Sequence, residues 1–363
     1  MINDKRGELM KFVPPWVNIL AIPKAYMMVE RPLTEVIKSG FVRIALARVY
    51  AKLKFRRYVK KNKPKDGNAI FSYVNKYVTP FLPPLKLAKY DLAISFLTPH
   101  DIVRDKIDAT KKVCWIHTDY SSIDIDKNLE LSVWRCYDQI VSISAKVTQT
   151  FCNVFPKLKD KIIEIEPILS PEMIRQRSMD MTPKEMSKVK DATIFLTIGR
   201  YCYAKNLECI PTICRLTRQK GVNLKWFIIG YGGSDEYIRN RIKVNDMEDH
   251  VIILGKKENP YPYIANCDWY VQPSRYEGNS ITVKEAHILG KPVIITDYPT
   301  AGSQLKNGID GMIVPCEPEK TAEGIVNILK DENLYKNLSE NITRSDYSNK
   351  NQLQIFYNLL PSV

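Results

Sequence analysis

The residues best suited to chemistry are two cations and two carboxylates in the second half of the chain, each pair at short spacing. In GRYCYAKN (199–206), Arg200 and Lys205 follow an apolar run, ATIFLTIGR (192–200), that reads as a strand. In an open α/β sheet, side chains just beyond the carboxyl end of a strand sit where such folds bind ligands. Two cations there can neutralise a diphosphate. In SRYEGNSITVKEA (274–286), Glu277 and Glu285 stand eight residues apart. Between them Gly278, Asn279, Ser280 and Ile281 form a loop entering a helix, whose first N–H groups lack partners and carry the positive end of the dipole. Gly278 permits close backbone approach. Carboxylates accept hydrogen bonds from vicinal hydroxyls, so glutamates flanking an anion cradle suit a phosphate held between two polyols. A sugar nucleotide has that layout. Taken singly, each of these charges reads as a solvated surface group; the conjunction carries the reading.

The elements that must position them follow from periodicity. After ATIFLTIGR, NLECIPTICRLTRQKG (206–221) reads as a helix ending at a glycine, LKWFIIGYG (224–232) as a strand, and residues 235–245 as a charged helix. Strands follow in VIILGK (251–256), DWYVQPS (268–274), PVIITD (292–297) and GMIVP (311–315), with helices over 279–290 and 318–331. Near-continuous apolar strands alternating with helices predict a parallel sheet covered on both faces, a doubly wound α/β fold. The first half offers strand-like runs in VNILAI (17–22), DLAISF (91–96), KKVCWIHT (111–118), DQIVSIS (138–144) and KIIEIEPI (161–168), consistent with a second α/β sheet. The polar stretch before residue 190 suggests an interdomain link. The expected division is 1–170, a link over 171–190, 191–345, and a C-terminal helix over 346–363.

A chain of 363 residues, 45% hydrophobic and 26% charged, is long enough for two globular domains. Apolar runs fall short of the roughly 20 residues needed to span a bilayer, and the N-terminus lacks the apolar core of a signal peptide. A cytoplasmic location is expected. The eight cysteines and four histidines are scattered without CxxC or ligand spacing, so reduced thiols are expected and no metal site is.

The segments GR-x4-KN, S-R-Y-E-G-x6-E-A, G-K-P-V-I-x-T-D (290–297) and N-G-x-x-G-x-x-V-P (307–315), in this order, resemble the GT-B glycosyltransferases of family 4. That resemblance covers about 150 residues and implies two Rossmann-like domains facing a cleft. It implies that Arg200 and Lys205 bind the donor diphosphate, beside the backbone of Gly278, Asn279, Ser280 and Ile281. Glu285 would hold the nucleotide ribose and Glu277 the donor sugar. Such enzymes work without a metal ion or other cofactor, and the nucleotide sugar is a substrate. His117 in WIHTDY (115–120) resembles the family's N-domain histidine facing the donor sugar, with a satisfied structural histidine as the competing reading; Asp119 is a weaker candidate. His287, two residues beyond Glu285, is expected to point elsewhere. The resemblance also implies an absence. GELMKFVPPWVNIL (7–20) resembles a later part of the family pattern, so the first β–α–β unit is expected to be missing from the N-terminal domain, through a late start, a truncation or a real loss.

The formal charge of +14 predicts a polyanionic partner. Ten Lys and Arg and no acid fall between Arg43 and Lys65. Val42, Leu46, Val49 and Leu53 recur there at helical spacing, a basic amphipathic helix. It is either a domain helix with a solvated polar face or a peripheral contact with an anionic membrane. Nucleic acid is not expected, because no recognition motif accompanies the charge. The sequence therefore predicts a retaining glycosyltransferase that moves a sugar from a nucleoside diphosphate, with UDP the expected carrier. The acceptor would be a glycan or lipid-linked molecule in surface polysaccharide (capsule-type) synthesis. The alternative is a truncated, catalytically weak donor-binding partner of another transferase.

Overall fold

The computed structural model describes residues 13–64, 66–85, 88–121, 123–186 and 192–360. The GELMKF stretch (7–12), Lys65 and residues 187–190 of the expected link lie outside them. The chain divides into two compact units, Met1–Pro167 with Asn351–Val363, and Ile168–Lys350.

The second unit is a six-stranded parallel sheet, β5 (Thr193–Ile198), β6 (Leu224–Ile229), β7 (Val251–Gly255), β8 (Trp269–Gln272), β9 (Val293–Thr296) and β10 (Gly311–Val314), in the order β10-β9-β8-β5-β6-β7. Alternation along the strands divides the core between the two faces. Phe195, Trp226, Ile228, Trp269, Val271 and Ile294 pack on one face with Ile210, Ile213 and Ile325 from helices Ile210–Gln219 and Pro318–Lys330. Leu196, Phe227, Ile229, Tyr270, Val293 and Ile295 pack on the other with Ile264, Val283 and Ala286. A sheet buried on both faces has no polar side, which is why its strands read as unbroken apolar runs. Thr197, buried in the centre, is satisfied on both sides: it accepts from Trp226 Nε1 at 2.9 Å and donates to the Val271 carbonyl at 2.6 Å.

The strand order reverses between β5 and β8, and their ladder is short, Phe195↔Trp269 and Leu196↔Tyr270 only. Beyond that pairing the connections from the two strands run to opposite sides, which opens a crevice at their carboxyl ends. Strand β6 stops at Ile229, three residues short of the expected end. Gly230 takes φ +153° there, and a Cβ on it would lie 1.9 Å from the Gly199 carbonyl oxygen. A Cβ on Gly232 would lie 2.5 Å from the Tyr201 carbonyl oxygen. The backbone after β6 thus rests directly on the loop carrying Arg200, through bonds Gly199 N–H to Ile229 O (3.0 Å) and Tyr201 N–H to Tyr231 O (2.9 Å).

The expected link is partly structural. Residues Pro171–Ser178 form a helix capped by Ser170, and its Ile174 is fully buried in the second unit's core. The polar composition of that helix reflects its solvent face.

In the first unit, β1 (Tyr90–Ser95), β2 (Ala109–Ile116), β3 (Gln139–Ser142) and β4 (Ile162–Glu164) form a parallel sheet in sequential order. VNILAI (17–22) is not a strand: its residues carry no regular structure, and Val17, Ile19 and Leu20 are exposed. An apolar hexapeptide has no strand to pair with unless tertiary contacts supply one. The C-terminal helix Asn351–Tyr357 belongs to this unit, where Leu359 just beyond it is buried against Val113, Trp115, Val141 and Ile165.

The basic segment forms one helix, Val42–Asn62, but with a face other than the expected one inward. Ile44, Ala45, Ala47 and Ala51 are buried, and Arg48 lies against the chain with Nη1 donating to the carbonyls of Met28 and Arg31. Val42, Leu46, Val49 and Leu53 are exposed, Leu46 at 64%. Small residues let the helix pack closely on the side where alanines recur, and the larger apolar stripe is left outside.

Candidate donor site

Two loops meet at the switch point, 199–206 after β5 and 273–280 after β8. Arg275 N–H donates to the Ala204 carbonyl at 2.8 Å. The Arg275 guanidinium covers the Tyr203 ring at 4.1 Å, donates to the Tyr203 carbonyl and pairs with Glu208 at 2.7 Å. Lys205 Nζ meets Glu277 Oε1 at 2.6 Å. The methylenes of Lys205 lie over Gly199, where a Cβ would come within 3.3 Å of Cδ. Lys205 and Glu277 are 72 positions apart in sequence, and the sheet topology brings them into one ion pair.

Glu277 is held from three sides. Its Oε1 accepts from Lys205 Nζ, from Ser274 Oγ at 2.6 Å and from Gln272 Nε2 at 3.2 Å. Gln272 is itself fixed, donating to Ser274 Oγ at 2.8 Å and accepting from the Tyr270 hydroxyl at 2.7 Å. The Glu277 carbonyl accepts from Thr300 Oγ1 at 2.7 Å. Such a chain of charge-assisted and neutral bonds fixes the carboxylate in one rotamer. Gln272, Ser274 and Thr300 were not singled out in the sequence. A polar residue closing the apolar strand WYVQ, followed by Ser274 three positions before the glutamate, is the pattern that marks them.

Gly278 to Ile281 lead from Glu277 into helix Ile281–Ile288. Of these, Ser280 differs from expectation: its N–H donates to Gln304 Oε1 at 3.1 Å, so the loop's own neighbour occupies it. For the N–H groups of Gly278, Asn279 and Ile281, no partner is seen among the described residues. Ser280 provides no side-chain cap, and its hydroxyl bonds Thr282 Oγ1 instead. The dipole at this helix start is therefore uncompensated by any side-chain carboxylate cap. Arg200 is exposed, and no ion pair to it is seen among the described residues.

Glu285 lies on the inner face of the same helix, 8% exposed, accepting from the Tyr261 hydroxyl at 3.0 Å. Burial pushes its carboxyl from the ordinary 4.5 up to about 7; the Tyr261 bond and the Arg177 charge oppose the rise. His287 faces away from Glu285, as its spacing predicts. Its Nε2 bonds the Asp310 carbonyl at 2.9 Å and its ring stacks on Tyr347. Burial lowers its pKa.

His117 belongs to the first unit and directly follows β2. Its Nε2 donates to the Phe96 carbonyl at 2.8 Å and its ring meets Phe96 edge-on at 4.6 Å. That bond places a proton on Nε2, because a carbonyl oxygen can only accept. Asp119 closes a local turn, accepting from the Ser121 N–H and hydroxyl. Among the described residues, no group of three His, Cys, Asp or Glu side chains is placed to hold a metal ion.

Residues 179–345 match the family described as "Glycosyl transferases group 1". An uncharacterised glycosyltransferase of Methanocaldococcus jannaschii is 25% identical over 245 residues, 63% of this chain and 59% of that protein. The N-acetylgalactosamine-N,N'-diacetylbacillosaminyl-diphospho-undecaprenol 4-alpha-N-acetylgalactosaminyltransferase of Campylobacter jejuni is 29% identical over 150 residues, 41% of this chain and 40% of that protein. The chain thus spans about half the length of these relatives. Among solved structures, Anabaena HepE in complex with UDP aligns over 80% of this chain and 81% of its own, with 15% identity and a TM-score of 0.57. The fold is therefore the GT-B fold of the solved glycosyltransferases.

Proposed function

From the match of residues 179–345 to the group 1 glycosyl transferases, we propose that this chain transfers a sugar from a nucleoside diphosphate, with UDP as the carrier, and with retention of anomeric configuration. The observation that carries the reading is the Lys205–Glu277 pair at the β5/β8 switch point, next to the exposed Arg200 and to helix-start N–H groups with no partner among the described residues. The donor diphosphate would lie against Arg200, Lys205 and the N–H groups of Gly278, Asn279 and Ile281. Fixed donors there stabilise the charge that builds on the departing phosphate and need no reorganisation as it forms. This assigns charge neutralisation to side chains and backbone without a metal ion. Lys205 has three N–H donors, so it can hold Glu277 and still contact a phosphate. Glu277, locked by Ser274 and Gln272, has its second oxygen left to orient donor-sugar hydroxyls, and Glu285 would accept from the ribose. His117 is assigned to the donor sugar by its resemblance to the family's N-domain histidine. No side chain acts as a covalent nucleophile; the leaving phosphate takes the acceptor proton on the same face.

The acceptor in this reading is a glycan or lipid-linked saccharide in capsule-type polysaccharide synthesis at the inner membrane face. The Campylobacter relative's name describes a diphospho-undecaprenol acceptor. Helix Val42–Asn62 supports a peripheral membrane contact with its eight Lys and Arg and its exposed Val42, Leu46, Val49 and Leu53. No described helix is long and apolar enough to cross a membrane. Titration calorimetry with UDP, ADP and GDP tests the donor assignment. UDP should bind most tightly, and Arg200→Ala should weaken it about tenfold or more, the loss of one charge-assisted contact. Equal binding of all three, or no effect of Arg200→Ala, would refute it.

A further inference from the structure

A cavity of about 480 Å³ lies in the first unit between helix Val42–Asn62 and helix Ala69–Val78, closed at one end by the start of helix Lys127–Trp134. Lys54, Arg57 and Lys61 enter it from the first helix and Lys76 from the second. Tyr58, Tyr73 and Tyr77 wall it, with Tyr58 and Tyr73 centred 5.8 Å apart and Tyr73 and Tyr77 6.5 Å apart. Its one lining carboxylate is already committed. Asp126 accepts from the Asn128 and Leu129 N–H groups, capping the third helix, and from the Tyr73 hydroxyl at 2.7 Å. Tyr58 donates to the Ile125 carbonyl at 3.0 Å, so its ring rather than its hydroxyl is turned to the space. The nearby Asp66 is spent on the N–H groups of Asn68 and Asp124. Among the described residues no ion pair is seen for Lys54, Arg57, Lys61 or Lys76; Lys54 and Lys76 lie only over the Tyr50 and Tyr77 rings.

Four cations stand around one space against a single carboxylate, Asp126, so the lining keeps an excess of three positive charges. An anion with several acceptor oxygens and a ring or chain to lay against tyrosine faces would satisfy both the charge and the walls. We propose that this cavity binds an organic phosphate or diphosphate ester through Lys54, Arg57, Lys61 and Lys76. The ester arrives either free in solution or as a lipid headgroup. In the second case the exposed stripe of Val42, Leu46, Val49 and Leu53 rests on the same bilayer and presents the cavity to it. The donor loops belong to the other unit.

The test uses the full chain and two probes, inorganic pyrophosphate by calorimetry and vesicles of phosphatidylcholine with or without phosphatidic acid by co-sedimentation. The variant Arg57→Ala/Lys61→Ala empties two cavity cations. Lys52→Ala/Lys60→Ala removes the same charge from the same helix outside the cavity. Matching thermal melts establish that both are folded. Pyrophosphate binding that drops more than about tenfold in the cavity variant alone supports the site and a free ligand. Binding seen only with phosphatidic acid vesicles, lost in the cavity variant alone, supports the site and a headgroup. Leu46→Asp should weaken only the vesicle arm, severalfold, and leave pyrophosphate binding unchanged, which separates this proposal from the membrane reading. Equal losses in both double variants, or no binding of either probe by the wild type, overturn it.

Discussion

The Glu285→Gln substitution tests whether the buried glutamate is a latent ligand group. Its carboxyl is raised from 4.5 to about 7 by burial. At about 1.4 kcal/mol per pH unit, ionised Glu285 then costs the folded protein on the order of 3 kcal/mol. The sign follows from proton counting. Between pH 4.5 and 7 the folded state keeps a proton that the unfolded chain has lost, so stability falls as pH rises through that window. Below it the cost is absent, and above it the cost is complete. Glutamine has the same shape, stays neutral, and can still accept from Tyr261. Its stability advantage over wild type should therefore grow from near zero at pH 4.5 to about 3 kcal/mol at pH 8. Urea unfolding at several pH values, followed by fluorescence of Trp226 and Trp269 in the same unit's core, reads this directly. Saturating UDP should narrow the gap at pH 8, because ribose hydroxyls donate to the ionised group. An advantage constant with pH, or a wild type more stable than the variant at pH 8, refutes the reasoning.

Two other perturbations probe separate links. Gly230→Ala inserts a Cβ 1.9 Å from the Gly199 carbonyl, so it should cost about 2–4 kcal/mol in calorimetric stability and displace the Arg200 loop enough to abolish UDP binding; an unchanged melting temperature would contradict the packing described. Leu46→Asp, on an exposed position, should change stability by less than about 0.5 kcal/mol yet reduce sedimentation with anionic vesicles severalfold; unchanged sedimentation would remove the membrane contact.

The second unit was legible because its strands are buried on both faces, and burial of that kind leaves an unmistakable apolar run. Lys205, Glu277 and Glu285 were legible for a different reason: their charges interrupt such runs at strand ends or within an apolar helix. What holds them was harder to see. Gln272 and Ser274 become partners of Glu277 only because β8 ends where it does. Tyr261 reaches Glu285 across two helices 24 positions apart. Gln304 takes the Ser280 N–H from a loop no local pattern connects to it. The first unit misled in two places. VNILAI has strand composition without a strand to join, and the basic helix has two apolar stripes, of which the alanine-rich one is buried. Periodicity finds a stripe; only tertiary packing decides which stripe faces inward.

The most direct test of the central claim is turnover of UDP-sugars, read as UDP release, by the wild type and by Lys205→Ala and Glu277→Ala. The account predicts release by the wild type with at least one UDP-sugar, and losses of about a hundredfold or more in both variants, as expected when a preorganised transition-state contact is removed. Release that is equal in all three proteins would contradict it, because the Lys205–Glu277 pair would then be a structural bridge between two loops and no part of a donor site.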